Sequence, residues 1–297
     1  MDLNFNDIVV YTVLMGEHEG LNDQPQIKFS KLKHFCLTDD RNLRSNYWEM
    51  IYVDKLFPKD PHRSQRSLKI RPHLIFRDYR FSFYIDNTIL LKDKTENFIE
   101  MIIKGKEIDY EKPNIFLPYH SFRSDLLSEF CECAYLRRDS KVRIYEQLND
   151  YLEINSDYLK SKPYWAGLLF RNHNNKDLIK FSEIWFANIC RYSKRDQLSL
   201  IHSSYQAKVK LRGFFLENSS SEFHIWPVKK KLDKFKIKDD LLIDYIPQKY
   251  ILNLSRKLIS KGKIPIRLGE RKNLLQIITL KKFFKRIINK LKKSINK

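Results

Sequence analysis

An α/β fold, with strands and helices alternating around a largely buried sheet, is what this sequence predicts. Three observations carry that expectation. Short apolar, β-branched runs alternate with segments of helical spacing. One such run, Phe81-Ser82-Phe83-Tyr84-Ile85, ends abruptly in the carboxylate Asp86, as a central strand does on reaching a ligand-binding edge. The 297 residues are 42% hydrophobic and 13% aromatic, enough to bury a full core.

Taken in order, Ile8 to Leu14 reads as a first buried strand and Gly16 to Gln26 as a polar loop. Lys33 to Thr38 and Trp48 to Val53 are further strands. Asp60-Pro61 opens a helix to about Phe76, because proline is tolerated in a first turn, and Pro72 should kink or split it. The Asp86 strand follows. Asn97 to Lys104 is helical, Asn114 to Tyr119 a strand, and Ser124 to Asp150 one long helical stretch. Trp165 to Arg171 is a strand. From Lys176 to Tyr192, Leu178, Phe181, Ile184, Trp185 and Ile189 share one helical face. Ser193 then caps a last helix.

Charge separates two regions, expected as an α/β domain over 1–228 and a basic extension over 229–297. The extension holds 22 Lys and Arg against five Asp and Glu, while the remainder holds 34 against 31. Within it, Ile277, Leu280, Phe284, Ile287, Leu291 and Ile295 recur at helical spacing among lysines. This predicts an amphipathic helix over about 274–296 that lies on an anionic membrane surface. A nucleic-acid arm would not need that apolar stripe. No apolar run is long enough for a transmembrane helix, and Met1 to Asp7 reads as polar with no signal peptide. Four cysteines without C-x-x-C spacing suggest reduced intracellular thiols. Seven glycines and no G-x-G-x-x-G or Walker run argue against dinucleotide and P-loop chemistry. The missing G-x-S-x-G elbow argues against a hydrolase.

Asp86 supplies the hard oxygen that Mn or Mg beside a diphosphate requires. Thr88 stands where a D-x-D pattern would have its second acid, and a plain Asp-Asn turn is the alternative. Arg63, Arg66 and Lys69 recur every third residue and either clamp phosphates or form a solvated face. Asp196, flanked by Arg195 and Gln197, is either an active-site carboxylate or the N3 member of a capping box begun by Ser193. His120, Arg123 and Glu129 could meet a sugar or leaving group. His224, in Phe223-His224-Ile225-Trp226, is a metal ligand or a satisfied core histidine.

In sequence order, Val9-Val10-Tyr11-Thr12, Cys36-Leu37-Thr38-Asp39, Asp60-Pro61-x-Arg63 running into Arg66-x-x-Lys69-Ile70-x-Pro72-His73, and Tyr84-Ile85-Asp86-Asn87 are followed by three more motifs. These are His120-x-x-Arg123 with Glu129, Gly167-x-x-x-Arg171-x-His173-Asn174, and Tyr192-Ser193-x-Arg195-Asp196-Gln197-Leu198-Ser199. Together they resemble a family of glycosyltransferase-like domains that includes the plant turgor-regulation-defect and mucilage-related proteins. The resemblance covers roughly residues 8–205. It implies a GT-A-like mixed sheet flanked by helices, similar to family-8-type glycosyltransferases, with a nucleotide-diphosphate sugar donor and a divalent metal, Mn or Mg.

On that reading Tyr11, Thr12, Arg63, Arg66, Lys69, Asp86 and Asn87 bind the donor. His120, Arg123, Glu129 and Gly167 meet the sugar or acceptor. Asp86 and His224 hold metal, and Asp196, Arg195 and Gln197 are catalytic, with Asp196 the base if the reaction inverts. The expected activity is hexosyl-type transfer to a saccharide or lipid-linked acceptor in cell-surface polysaccharide or glycoconjugate synthesis, at the cytoplasmic face of the membrane. The alternative is a non-catalytic membrane- or nucleic-acid-binding protein on a degenerate GT-A fold.

Overall fold

A computed structural model describes residues 3–16 and 19–228. The chain divides into two units, Met1–Gln248 and Lys249–Lys297, and every described residue belongs to the first. The expected basic extension and its amphipathic helix lie outside the described residues.

The elements run β1 (Ile8–Leu14), β2 (Lys33–Thr38), β3 (Glu49–Tyr52), α1 (Pro61–Ile70), β4 (Phe81–Ile85), β5 (Leu90–Leu91), α2 (Thr95–Ile103), β6 (Ile115–Pro118), α3 (Leu126–Tyr135), α4 (Lys141–Ile154), β7 (Leu168–Arg171), α5 (Lys176–Arg191), α6 (Asp196–Ala207), β8 (Arg212–Phe214) and β9 (His224–Ile225). Seven strands form one sheet in the order β3-β2-β1-β4-β7-β6-β8, and β5 pairs with β9. The large sheet is parallel except at β7, which runs antiparallel to both neighbours, β4 and β6. It is the mixed α/β sheet that the sequence predicts. Because only β7 is reversed, the carboxyl ends of β1, β4, β6 and β8 share one edge.

Alternation along the strands builds two cores. Val9, Tyr11, Val13 and Tyr84 face Ile70 of α1 and Leu178, Phe181, Trp185 and Ile189 of α5. Val10, Phe83, Ile85 and Phe170 face Phe98, Ile99 and Ile102 of α2. All seven residues of β1 are buried, as expected of a central strand covered on both faces.

The split expected at Pro72 is present, and three other boundaries differ from expectation. The helix from Asp60 stops at Ile70, and Pro72 opens a separate 3-10 turn, Pro72–Leu74. The stretch 124–150 is two helices, because Arg137 takes a left-handed conformation with φ 51° between them. The strand expected from Trp165 begins only at Leu168. A Cβ at Gly167 would sit 2.7 Å from the Trp165 ring, so the chain bends around that indole. The Ser193 capping box does not form. Ser193 Oγ donates instead to Asp139 (2.8 Å), Arg195 is the N-cap, and Asp196 opens the helix. The short strands β5, β8 and β9 lacked any periodic signal. All four cysteines are free. No helix among the described residues is long and apolar enough to cross a membrane.

Candidate active site

β4 delivers Asp86 to the shared carboxyl edge. Its amide donates to Gly167 O (2.9 Å), extending the β4–β7 pairing by one residue. The side chain is half-buried, and among the described residues Oδ1 receives long contacts from Thr88 N (3.4 Å) and Thr88 Oγ1 (3.3 Å). Its neighbour Asn87 turns inward and latches the loop that leaves β1. Asn22 N donates to Asn87 Oδ1 (2.9 Å), Asn22 Nδ2 to Asn87 O (2.7 Å), and Asn87 Nδ2 to Gly20 O (3.0 Å). Asn87 therefore shapes the expected donor site rather than presenting its amide to a ligand.

That latch brings Glu19 near Asp86. Burial, and then the charge of Asp86, push the Glu19 carboxyl up to about 7. Sequence reading missed Glu19, because it sits in a polar loop with no periodicity to mark it.

The three cations of α1 have different surroundings. Asp60 caps the helix by accepting from Arg63 N (3.0 Å). The Arg63 guanidinium is fully engaged, donating to Asp60 Oδ2 (2.6 Å), Ile189 O (3.0 Å) and Tyr192 O (2.9 Å). Those carbonyls end α5, where a cation is favoured. Arg63 is thus a helix tie, contrary to its expected place on the donor. Lys69 is only 1% exposed. Its ammonium lies 2.5 Å from Asp196 Oδ2 and 4.8 Å from the Tyr84 ring centroid. Arg66 Nε is 3.3 Å from the same Oδ2, and its side chain keeps 14% of its surface exposed. Arg66 lies within electrostatic range of Glu19.

Asp196 is 2% exposed. Burial alone would raise its carboxyl, but Arg66, Lys69 and Arg195 overcome that and hold it well below the ordinary carboxylate range. A carboxylate so reluctant to take a proton is a poor general base, so the expectation that Asp196 could be the base is corrected by its surroundings. Behind it, Trp185 Nε1 donates to Asp196 O (2.9 Å). Gln197, in the first turn of α6, has its Nε2 buried with no protein partner.

Arg195 links this interior to the His120 cluster. It contacts Cys133 and interacts with Glu129 and Asp196. Glu129 is buried and accepts from Arg123 Nε (3.2 Å) and Cys133 Sγ (3.3 Å), with His120 Nε2 at 3.7 Å. Burial, reinforced by Arg123, Arg195 and Lys162, lowers His120 to about 3. The structure thus joins His120, Arg123, Glu129, Arg195 and Asp196, which the sequence offered as separate groups. Cys133 is the link that sequence reading did not single out.

Two expected donor residues and one expected ligand lie in the core. Tyr11 is fully buried, donating to Lys69 O (2.7 Å) and accepting from Arg171 Nη2 (2.9 Å). Thr12 is buried mid-strand. For His224, Nε2 lies 3.1 Å from Asn218 O and Nδ1 lies 2.7 Å from Ser221 Oγ. Its ring stacks on Phe98 and Trp165. Both nitrogens are occupied, so His224 is the satisfied core histidine and is not placed to bind metal.

Among the described residues no group of three or more His, Cys, Asp and Glu could hold a metal. Asp86 and Glu19 are two hard-oxygen groups within mutual electrostatic range. Mg and Mn ions take one or two carboxylates and complete their shell with waters and phosphate oxygens.

No curated protein matches the chain. Among solved structures it is similar to the apo form of the WbbM bifunctional glycosyltransferase, at 11% identity and a TM-score of 0.40 over 70% of this chain. The chain spans 38% of that protein's length. It is also similar to apo mouse xyloside xylosyltransferase 1, at 11% identity and a TM-score of 0.42, over 71% of this chain and 85% of that one. A family model matches residues 22–225, including Asp86 and the Arg195-Asp196-Gln197 run, and on that match the chain belongs to the TOD1/MUCI70 glycosyltransferase-like domain family.

Proposed function

We propose that this glycosyltransferase-like domain moves a sugar from a nucleotide-diphosphate donor to a saccharide or lipid-linked acceptor, in making cell-surface polysaccharide or glycoconjugate. The carrying observation is the carboxyl edge itself. The half-open Asp86 stands there with Glu19 and Arg66, above a buried Lys69–Asp196 ion pair. An Mg or Mn ion held by Asp86 and Glu19 would supply charge for the leaving diphosphate. Arg66 adds a fixed guanidinium suited to phosphate oxygens. Asp196 acts by holding Arg66 and Lys69 rather than by moving a proton. Stabilisation of this preorganised kind is the largest contribution in many transferases.

Calorimetric titration with UDP and other nucleoside diphosphates, with and without manganese, tests the reading. Metal-dependent binding that disappears in Asp86→Ala is expected. Equal binding by that variant, or no binding by the natural chain, overturns it.

The basic extension supports a place at the inner face of the membrane. Residues 281–297 carry eight Lys and Arg and no acid. Each basic residue near an anionic surface contributes about 1 kcal/mol, so partial engagement would hold the enzyme beside lipid-linked acceptors. Flotation with anionic vesicles, lost on deleting 274–297, is the expected result. Equal flotation with neutral vesicles would sink the idea.

A further inference from the structure

One feature of the carboxyl edge plays no part in the donor site. Tyr119 follows β6 and Phe215 follows β8, and both strands end on the same edge as β4. The Tyr119 amide donates to Phe214 O (2.9 Å), and Tyr119 forms an isolated bridge with Tyr164. These links gather three rings. Tyr119 lies 5.2 Å from Tyr164, with ring planes only 24° apart, and 5.1 Å from Phe215. Phe215 is 83% exposed, while Tyr119 and Tyr164 are half-buried.

The backbone is shaped to hold this stack. A Cβ at Gly213 would stand 2.2 Å from the Tyr119 ring, so only glycine lets that ring lie against β8. Polar side chains follow Tyr119 and Phe215 closely in sequence. Ser121 Oγ and Ser219 Oγ both donate to the exposed Glu217 (each 3.1 Å). A pyranose has two kinds of surface, polarised C–H faces and a hydroxyl rim. Aromatic faces carry the negative part of a quadrupole and attract the first, and carboxylate and hydroxyl groups accept and donate to the second.

Position supplies the rest of the argument. From β4 the sheet passes through β7 and β6 to β8. At about 4.8 Å per strand, the rings stand roughly 10 to 15 Å from Asp86 along the edge. That is too far for the sugar being transferred and suits the units behind the reacting end of an acceptor chain.

We infer that Tyr119, Tyr164 and Phe215 form a platform for a saccharide acceptor, holding sugar units remote from the site of transfer. The inference rests on the glycosyltransferase reading and deepens it. The recognised part of the acceptor is a carbohydrate chain, and affinity rises with the number of its units.

Saturation-transfer NMR on the full chain provides the test. The probes are hexose, pentose, N-acetylhexosamine and uronic-acid oligosaccharides of graded length, with a UDP titration run in parallel. Expected is binding of at least one series, strengthening with length. It weakens about tenfold in Phe215→Ala and survives in Phe215→Trp, with UDP binding unchanged in both. Because Phe215 is exposed, neither variant threatens the fold. Binding by Phe215→Ala equal to that of the natural chain overturns the platform, and so does UDP binding with no oligosaccharide bound. Oligosaccharide binding that depends on Phe215 without any UDP binding keeps the platform and overturns the donor site. Binding of neither overturns both.

Discussion

Asp86 and Asp196 are both carboxylates of the candidate site, and they sit in opposite surroundings. Asp86 ends a strand at the open edge, half-buried, with long contacts from its own turn. Asp196 starts a helix in the interior, with Lys69 and Arg66 on one oxygen and Arg195 close by. The first has coordination capacity to offer a ligand. The second has already committed its charge to the protein. The contrast separates an acid open towards solvent from one whose charge is already paired within the protein.

The contrast can be broken by measurement. The largest effect is expected at Asp196. Asp196→Asn leaves the buried Lys69, and the partly exposed Arg66 beside it, without their counter-charge, and should cost about 3–5 kcal/mol in urea unfolding. A variant as stable as the natural chain would mean that the pair is incidental. Arg63→Ala removes three hydrogen bonds from a charged group and should cost about 1.5–3 kcal/mol with nucleoside diphosphate binding intact. Arg66→Ala should lose that binding. If the two variants behave alike, the division of roles along α1 is wrong.

Acid should act on the interior through its buried histidines. Burial holds His34, His173 and His202 at about 4 and His120 at about 3, against about 6.5 in an unfolded chain. Their folded values are depressed, so the unfolded chain binds more protons between those limits. Stability is fully present above about pH 6.5 and falls as pH drops towards 4, at up to about 1.4 kcal/mol per pH unit for each such histidine. A denaturation midpoint that is flat from pH 7 to pH 5 would contradict this. The smallest effect belongs to Asp86→Ala, whose stability at neutral pH should stay within about 0.5 kcal/mol of the natural chain.

Periodicity made much of the fold legible. Ile8–Leu14 and Lys33–Thr38 have the bounds that their apolar runs suggest, and α5 follows its apolar face from Lys176 to Arg191. What stayed hidden depends on partners distant in sequence. Ser193 looks like a cap until Asp139 takes its hydroxyl. Arg63 looks like Arg66 until the end of α5 arrives beside it. Glu19 has no local signature, because its place is set by Asn22 and Asn87 across 65 positions of chain. The acid at the end of β4 was readable because strand and edge are both local features. The division of labour between the two acids was not.

One consequence follows from Lys69, which is gripped at both ends. Tyr11 and Arg171 hold its carbonyl, and Asp196 holds its ammonium. The last turn of α1 therefore has almost no freedom left to lose. On the proposed reading, Arg66, three residues earlier and paired with the same carboxylate, would meet an incoming diphosphate already in place. Ordering side chains costs about 0.5–1.5 kcal/mol each on association, and here folding has met that cost in advance. Diphosphate binding should accordingly release heat with little entropic opposition from the protein side.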